Sequence, residues 1–294
     1  MIDKPGIYQI PAANYHADEF DTPPTLSKSI IWQLMNRSPL HAKHRHPRLV
    51  EEPLHEESEK FDIGKTVHSL FLEGIDSAMI CDALNKEGEL VSDWKTKAAR
   101  KFREDARAEG KTPLLARHVP EIKNICGRLR EQLDQHEEAR DAFTAGQPEL
   151  TLLWRESNGV WCKARPDWLH DSHQIMDDLK TTERGDPYTL SRSFVGLGWD
   201  LQAAFYRRGL MMVDPKVEPQ FRFISIEVDP PYALTVTALD PKTIAIADRK
   251  VQRAIEMLGE CLYRNVWPAY PQRVCYLELP AWEQQRFEES ESQR

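Results

Sequence analysis

Residues 175–182 read Ile175-Met176-Asp177-Asp178-Leu179-Lys180-Thr181-Thr182. A short apolar approach runs into two carboxylates and, one residue later, a lysine. Charged side chains are rarely buried without a partner. This end of a strand is therefore either solvated or a place where something binds. Side chains alternate along a strand. Asp178 and Lys180 thus share one face, and Asp177 points to the other, outward or into structure.

Working upstream, residues 149–156, ELTLLWRE, alternate and are rich in β-formers, and Ser157-Asn158-Gly159 is a turn signal. Residues 160–170, VWCKARPDWLH, read as the return strand, so that IMDDLKTT is the third strand of an antiparallel meander. Asp167 ends the second strand, eleven positions before Asp178. That interval allows a turn and a neighbouring strand, and the two carboxylates can meet at one end of the sheet. Downstream, residues 187–213 are largely helical in pattern, weakened by Gly196 and Gly198. FRFISIEV and YALTVTAL form a second hairpin about Asp229-Pro230-Pro231. A long periodic helix follows, capped by Asp240 with Pro241 in its first turn.

The first half of the chain is mainly helical. Residues 25–39, TLSKSIIWQLMNRSP, predict a short helix that Ser27 can cap and Pro39 stops. Residues 61–74, FDIGKTVHSLFLEG, predict a second ending near Gly74. Residues 92–110 predict a third, and 114–144 one or two more. The expected fold class is α+β, a mixed central sheet flanked by helices. It forms one domain over 1–294, with 1–145 mainly helical and 146–294 carrying the core sheet.

The 294 residues are 40% hydrophobic and 29% charged, which suits a soluble globular protein with a real core. No apolar run approaches a membrane span. The first twenty residues lack a basic region followed by an apolar one, so no secretion signal is expected. Cys81, Cys126, Cys162, Cys261 and Cys275 are scattered and odd in number, which fits a reducing, cytoplasmic setting. The formal net charge of −8 argues weakly against nucleic acid as a partner, but its distribution is uneven. Residues 22–50 carry Lys28, Arg37, Lys43, Arg45 and Arg48 and no acid, with His41, His44 and His46 as potential additional charge. Residues 92–118 carry eight Lys or Arg, including Lys95, Lys97 and Arg100, against four acids. Acid gathers at 51–62 and in the tail.

Two hard carboxylates converging on one point repel each other. A divalent cation resolves this, and oxygen ligands suit Mg²⁺ or Mn²⁺. A lysine beside such a metal can orient a water or steady the charge of a transferring phosphoryl group. Taken alone, an Asp…Asp-x-Lys pattern is equally an ion pair at a strand end.

The Pro166-Asp167-Trp168-Leu169 and Asp177-Asp178-Leu179-Lys180 pieces resemble the core of the PD-(D/E)xK nuclease superfamily, which has a restriction-endonuclease-like fold. IGKTVHSLFLEG resembles the helix by which its RecB-like branch supplies a histidine metal ligand, here His68. WDLQAAFYRRGL resembles that branch's Gln-x-x-x-Tyr motif, here Gln202 and Tyr206, which as i and i+4 share a helix face. Residues 25–44 resemble the N-terminal element of exonuclease VIII (RecE-type) nucleases and their phage relatives. The likeness runs over roughly residues 10–280.

The resemblance implies a metal-dependent exonuclease that degrades one strand of linear double-stranded DNA from its 5′ end, leaving a 3′ tail for recombination by strand annealing. It implies metal ligation by His68, Asp167 and Asp178, with the backbone carbonyl of Leu179 and the acid Glu149 as further ligands. Lys180 would be catalytic, and Gln202 and Tyr206 would contact active-site groups or the DNA backbone. Lys28, Arg37, Lys43, Arg45, Lys95, Lys97 and Arg100 would contact phosphates. Mg²⁺, or Mn²⁺, is the implied cofactor. The close cysteine triplet of cluster-bearing relatives is missing, so no iron–sulfur cluster is expected. Implied partners are DNA ends, a RecT-like single-strand annealing protein and further copies of the chain in a ring, a tetramer by preference. Alternatives are another nuclease of the superfamily, an endonuclease or Cas4-like trimming enzyme, or a non-catalytic DNA-end-binding adaptor.

Overall fold

The computed structural model describes residues 2–51 and 59–292. Most of the acidic run at 51–62 and the last two residues of the acidic tail therefore lie outside the described residues.

In chain order the elements are β1 (Gly6–Tyr8), α1 (Ala12–Ala17), α2 (Lys28–Asn36), α3 (Pro39–Arg45) and α4 (Glu59–His68), continued by a π-helical turn over Ser69–Glu73. Then come β2 (Ala78–Cys81), α5 (Lys97–Ala108), β3 (Thr112–Leu115), α6 (His118–Gln135), β4 (Gly146–Pro148), β5 (Thr151–Arg155), β6 (Trp161–Ala164), β7 (Trp168–His170) and β8 (Ile175–Thr182). The rest are α7 (Pro187–Ser193), α8 (Trp199–Val213), β9 (Gln220–Glu227), β10 (Leu234–Thr237), α9 (Pro241–Arg264) and α10 (Ala281–Ser292). The central sheet is mixed and five-stranded, in the order β10-β9-β8-β7-β4. β1-β5-β6 form a second sheet, and β2 and β3 a parallel pair. The α+β class expected from the sequence holds.

The meander does not form as one unit. The return strand is broken: β6 pairs with β5, but β7 belongs to the central sheet with β8. The chain changes sheets twice at the same place. It passes from β4 to β5 through Glu149, whose φ is 56°, and from β6 to β7 through residues 165–167. The Glu149 amide donates to the Asp167 carbonyl at 3.2 Å and ties the two crossings together. Glu149 therefore stands at a joint before β5, not on the first core strand. Antiparallel pairing alternated well enough in the sequence to suggest one continuous ribbon, but Pro166 cannot donate to a ladder.

β8 and β9 run parallel, with Asp177 opposite Arg222 and Asp178 opposite Phe223. Parallel neighbours need a crossover, and α7 and α8 supply it. The expected single helical stretch is split there, where Gly198 adopts a φ of 69° before α8 begins. Met176, Phe221 and Phe223 face a core built with α2, α8 and α9 around Trp154 and Phe205. Leu179, Ile224 and Ile226 face the opposite core, built with Val67, Leu72 and α6. Each sheet face is thus spoken for. A one-residue slip of β8 would turn Asp177 toward α8 and Leu179 away from its core.

Smaller differences have local causes. Ser27 occupies the cap position of α2 but makes no capping bond; its hydroxyl meets Ser29 instead. Pro39 does more than stop a helix, because it opens α3 behind the capping Ser38. Asp240 caps α9 as expected, accepting from the Lys242 and Thr243 amides. β1, β2 and β3 are too short to show a period and were not foreseen. His46 and Arg48 tie the basic segment to the rest of the fold, His46 from the interior and Arg48 from the surface. His46 is buried against the Thr25 carbonyl at 2.9 Å, and Arg48 holds Asp18 at 3.4 Å and the Thr22 carbonyl at 2.8 Å.

Candidate active site

Asp167 follows β6 in the second sheet crossing, and Asp178 lies on β8. His68 closes α4 at the point where the helix loosens into the π turn. A π turn bonds i to i+5 and often marks a functional site. It brings Glu73 back toward His68, and the two, with Glu149, present ligand atoms within 4.8 Å of one another. No residue pattern marks that turn, and Glu73 is therefore an addition to the expected site residues.

His68 Nε2 lies 2.9 Å from Asp167 Oδ2, and Nδ1 lies 3.5 Å from Glu149 Oε1. Asp167 Oδ2 also accepts from the Leu179 amide at 2.7 Å. A residue's N–H and C=O point the same way in a strand, so the Leu179 carbonyl is turned toward Asp167 as well. Asp178 is fully buried. Its Oδ1 accepts from the Gln202 side chain on α8, and its Oδ2 forms a close ion pair with Lys180. Lys180 also lies over the Trp199 and Phe223 rings, at 5.9 and 6.0 Å. Tyr206 is buried one turn beyond Gln202 and packs on Phe221. Burial and then the nearby Tyr15 and carboxylate charges push its hydroxyl far up.

Asp177 points the other way. Its carboxylate meets Arg222 twice, at 2.7 and 3.1 Å, His170 at 2.7 Å and the Phe143 amide at 3.2 Å. The two adjacent aspartates thus have separate surroundings, as alternation along a strand requires.

The electrostatics follow from this packing. Burial, and then the charge of Asp167, push the Asp178 carboxyl up to about 6 against the pull of Lys180. Burial would raise Asp167 too, but His68 holds it below the usual carboxylate range, helped by Lys180 and the Leu179 amide. Burial would lower His68, yet Asp167, Glu149 and Asp178 raise it to about 9. Lys180 is raised as well, since the attraction of Asp178 and Asp167 outweighs its burial. As it stands, each carboxylate has a cation: Asp167 meets His68, Asp178 meets Lys180 and Glu149 meets Arg165.

His68 Nε2 and Asp167 Oδ2 are in direct contact at 2.9 Å, so a cation there would take the place of their shared proton. Asp178 Oδ2 is a buried oxygen beside Lys180, and a set of imidazole and carboxylate oxygens is what Mg²⁺ or Mn²⁺ accepts.

The basic candidates divide. Lys28 opens α2 beside the site; its ammonium donates to the Leu197 carbonyl at 3.2 Å. Burial, and then the charge of Lys180, push it down to about 8. Arg37 caps α2, while Lys43 and Arg45 lie on α3, which packs on α2 and α9. Lys43 sits 5.8 Å from the Trp267 ring. Lys95, Lys97 and Arg100 lie before and on α5, which packs on β2 and β3. Lys95 pairs with Asp93 at 2.9 Å, and Arg100 donates to the Lys95 carbonyl at 2.9 Å. Arg165, unread in the sequence, clamps Glu149. A cation two residues before Asp167, inside a buried strand end, was the available signal.

A family model described as a PDDEXK-like domain of unknown function (DUF3799) matches residues 27–280. A crystal structure of a candidate exonuclease from Eubacterium rectale has the same fold, with a TM-score of 0.58 and 13% identity over 94% of this chain and 98% of that one. A phage-related exonuclease from Haemophilus somnus overlaps more loosely, at 0.29 and 12% over 72% and 98%. So does an alkaline exonuclease from Laribacter hongkongensis, at 0.27 and 14% over 68% and 97%. A search of curated protein sequences finds no match.

Proposed function

The chain belongs to the PDDEXK-like family, and from that premise we propose that it is a metal-dependent exodeoxyribonuclease acting on the ends of linear double-stranded DNA. The observation that carries this reading is a pair of contacts, His68 with Asp167 and Asp178 with Lys180 and Gln202, near enough for the Asp167 charge to raise Asp178. His68, Asp167 and Asp178, with the Leu179 carbonyl, would hold Mg²⁺ or Mn²⁺, which when bound would polarise the scissile phosphate and lower the pKa of a water.

The protein's own groups do the rest. Lys180, held against Asp178, keeps a positive charge at the reacting phosphate and offsets the charge that builds up there. Gln202 fixes the Asp178 carboxylate through Oδ1, and Tyr206 closes the same helix face. Lys28 adds a second cation near Lys180 to receive the DNA backbone. Phosphate contacts carry no sequence information, as suits end-directed degradation. The likeness to RecE-type nucleases supports 5′-to-3′ polarity, a ring of copies and work beside a strand-annealing protein.

The test is linear duplex labelled at the 5′ or the 3′ end, with and without EDTA, beside covalently closed circular duplex. Early release of the 5′ label, intact circles and silence in EDTA are expected. Cutting of circles would make it an endonuclease. Binding of ends without cleavage, unchanged by Asp178→Ala, would make it an adaptor.

A further inference from the structure

The two ring nitrogens of His68 face different acids. Nε2 is 2.9 Å from Asp167 Oδ2, while Nδ1 is 3.5 Å from Glu149 Oε1. A neutral imidazole that ligates through one nitrogen carries its proton on the other, and that N–H needs an acceptor. Glu149 is built to be one. Its Oε2 pairs with Arg165 Nε. The Arg165 side chain is only 9% exposed and is itself fixed, donating through Nη1 to the Ile10 carbonyl at 2.9 Å and to Thr151 Oγ1 at 3.3 Å. A carboxylate already matched by a guanidinium is a poor ligand for a further cation, yet it still accepts an N–H. The backbone of Glu149 bonds to the Asp167 carbonyl, so the acceptor for one ring nitrogen and the neighbour of the other are parts of one junction.

We propose that Glu149, clamped by Arg165, is a positioning residue that accepts the Nδ1–H of His68 and aims Nε2 at the cation held with Asp167 and Asp178. This rests on the metal-nuclease reading above and replaces the direct ligation that the sequence suggested for Glu149. The 3.5 Å separation is long for a hydrogen bond, and the proposal requires it to shorten when Nε2 takes the cation. Glu73 and Glu149 then flank the histidine without holding an ion of their own.

The experiment is a Mn²⁺ titration followed by electron paramagnetic resonance on the whole chain. Glu149→Gly is the main variant, because glycine accepts the left-handed backbone at this position. Asp178→Ala is the control for the metal reading, and metal-free melting checks folding. Wild type should bind Mn²⁺ in a manner that Asp178→Ala abolishes. Glu149→Gly should leave the stoichiometry unchanged and weaken affinity about 10–100-fold, and Glu149→Gln, which keeps an acceptor oxygen, should recover part of it. With diamagnetic Zn²⁺, nitrogen–proton NMR should place the imidazole proton on Nδ1.

Loss of one of two Mn²⁺ ions in Glu149→Gly would make Glu149 a ligand and overturn the proposal. Unchanged affinity in that variant would overturn it too. Absence of any Mn²⁺ binding in wild type would instead sink the metal reading beneath it. If Glu149→Gly does not fold, Glu149→Gln decides alone: its Nδ1–H resonance should move upfield as a charged acceptor becomes neutral, and an unmoved resonance overturns the proposal.

Discussion

Replacing Arg222 by Met tests the separation of the two adjacent aspartates. Asp177 is fully buried and Arg222 is 5% exposed. Removing one partner of such a pair costs about 3–5 kcal/mol, because a charge is left buried without compensation. After Arg222→Met the Asp177 carboxylate keeps His170 and the Phe143 amide, which places the loss near the lower end, about 3 kcal/mol. Asp177→Asn keeps the shape and leaves Arg222 with Asp141 at 3.0 Å and the Glu138 carbonyl at 3.1 Å, for a loss of about 2 kcal/mol. The double variant strands no carboxylate and should again lose about 3 kcal/mol, a coupling of about 2 kcal/mol between the two sites.

Urea unfolding followed by tryptophan fluorescence measures all four proteins. Burial would raise the Asp177 carboxyl, but its bonds to His170 and Arg222 hold it below its ordinary value. A depressed carboxylate stabilises the fold above the unfolded pKa, and that contribution fades as pH falls through the folded one. The gap between wild type and Asp177→Asn should therefore be full at pH 7 and shrink below about pH 4. Because Asp177 faces away from Asp178, Asp177→Asn should bind Mn²⁺ like wild type wherever it is folded. Strict additivity, a loss under 1 kcal/mol in Arg222→Met, or loss of Mn²⁺ binding in Asp177→Asn would each refute the reasoning.

Three further outcomes are expected. Metal binding must displace the proton from His68, raised to about 9, and below about 6 that from Asp178. Calorimetry in buffers of different ionisation heat should find Mn²⁺ releasing about one proton per ion between pH 6 and 9 and about two below pH 6; release independent of pH would refute this assignment of ligands. Lys180→Met should slow cleavage about 10²–10³-fold while Mn²⁺ still binds, as single-turnover assays beside the titration would read. Gly209→Ala should lower thermal stability by about 1–3 kcal/mol, since a Cβ there would fall 2.6 Å from the Trp154 ring; an unchanged melting temperature would show that α8 can move away.

What could be read beforehand was whatever depends on neighbours along the chain. Alternation in IMDDLKTT separates Asp177 from Asp178, and the i, i+4 spacing puts Gln202 and Tyr206 on one helix face. The strong cap at Asp240 announces α9. What escaped depends on residues distant in sequence or on backbone states with no residue code. Nothing in VWCKARPDWLH says that its halves join different sheets, because that is decided by what each half pairs with. Glu149 looked like the start of a strand, and its left-handed backbone is imposed by the two crossings. The π turn after His68 buries Leu72 in the core beside Val67, and the letters SLFLE do not announce it. Arg222 sat in a β-rich segment as one more charge until β9 was aligned in parallel with β8.

The parallel pairing of β8 and β9 also sets the order in which synthesis completes the site. A ribosome delivers His68, Glu149, Asp167, Asp178 and Lys180 first. At that moment the strand bearing the last two has an open edge, and Asp177 lacks Arg222. The crossover must then emerge, bringing Gln202, before β9 can be made and docked. A chain cut short between residues 183 and 219 therefore carries every proposed cation ligand without the β9 strand that supports them. For the nuclease proposed above, premature termination in that interval would yield an inert fragment rather than a loose enzyme.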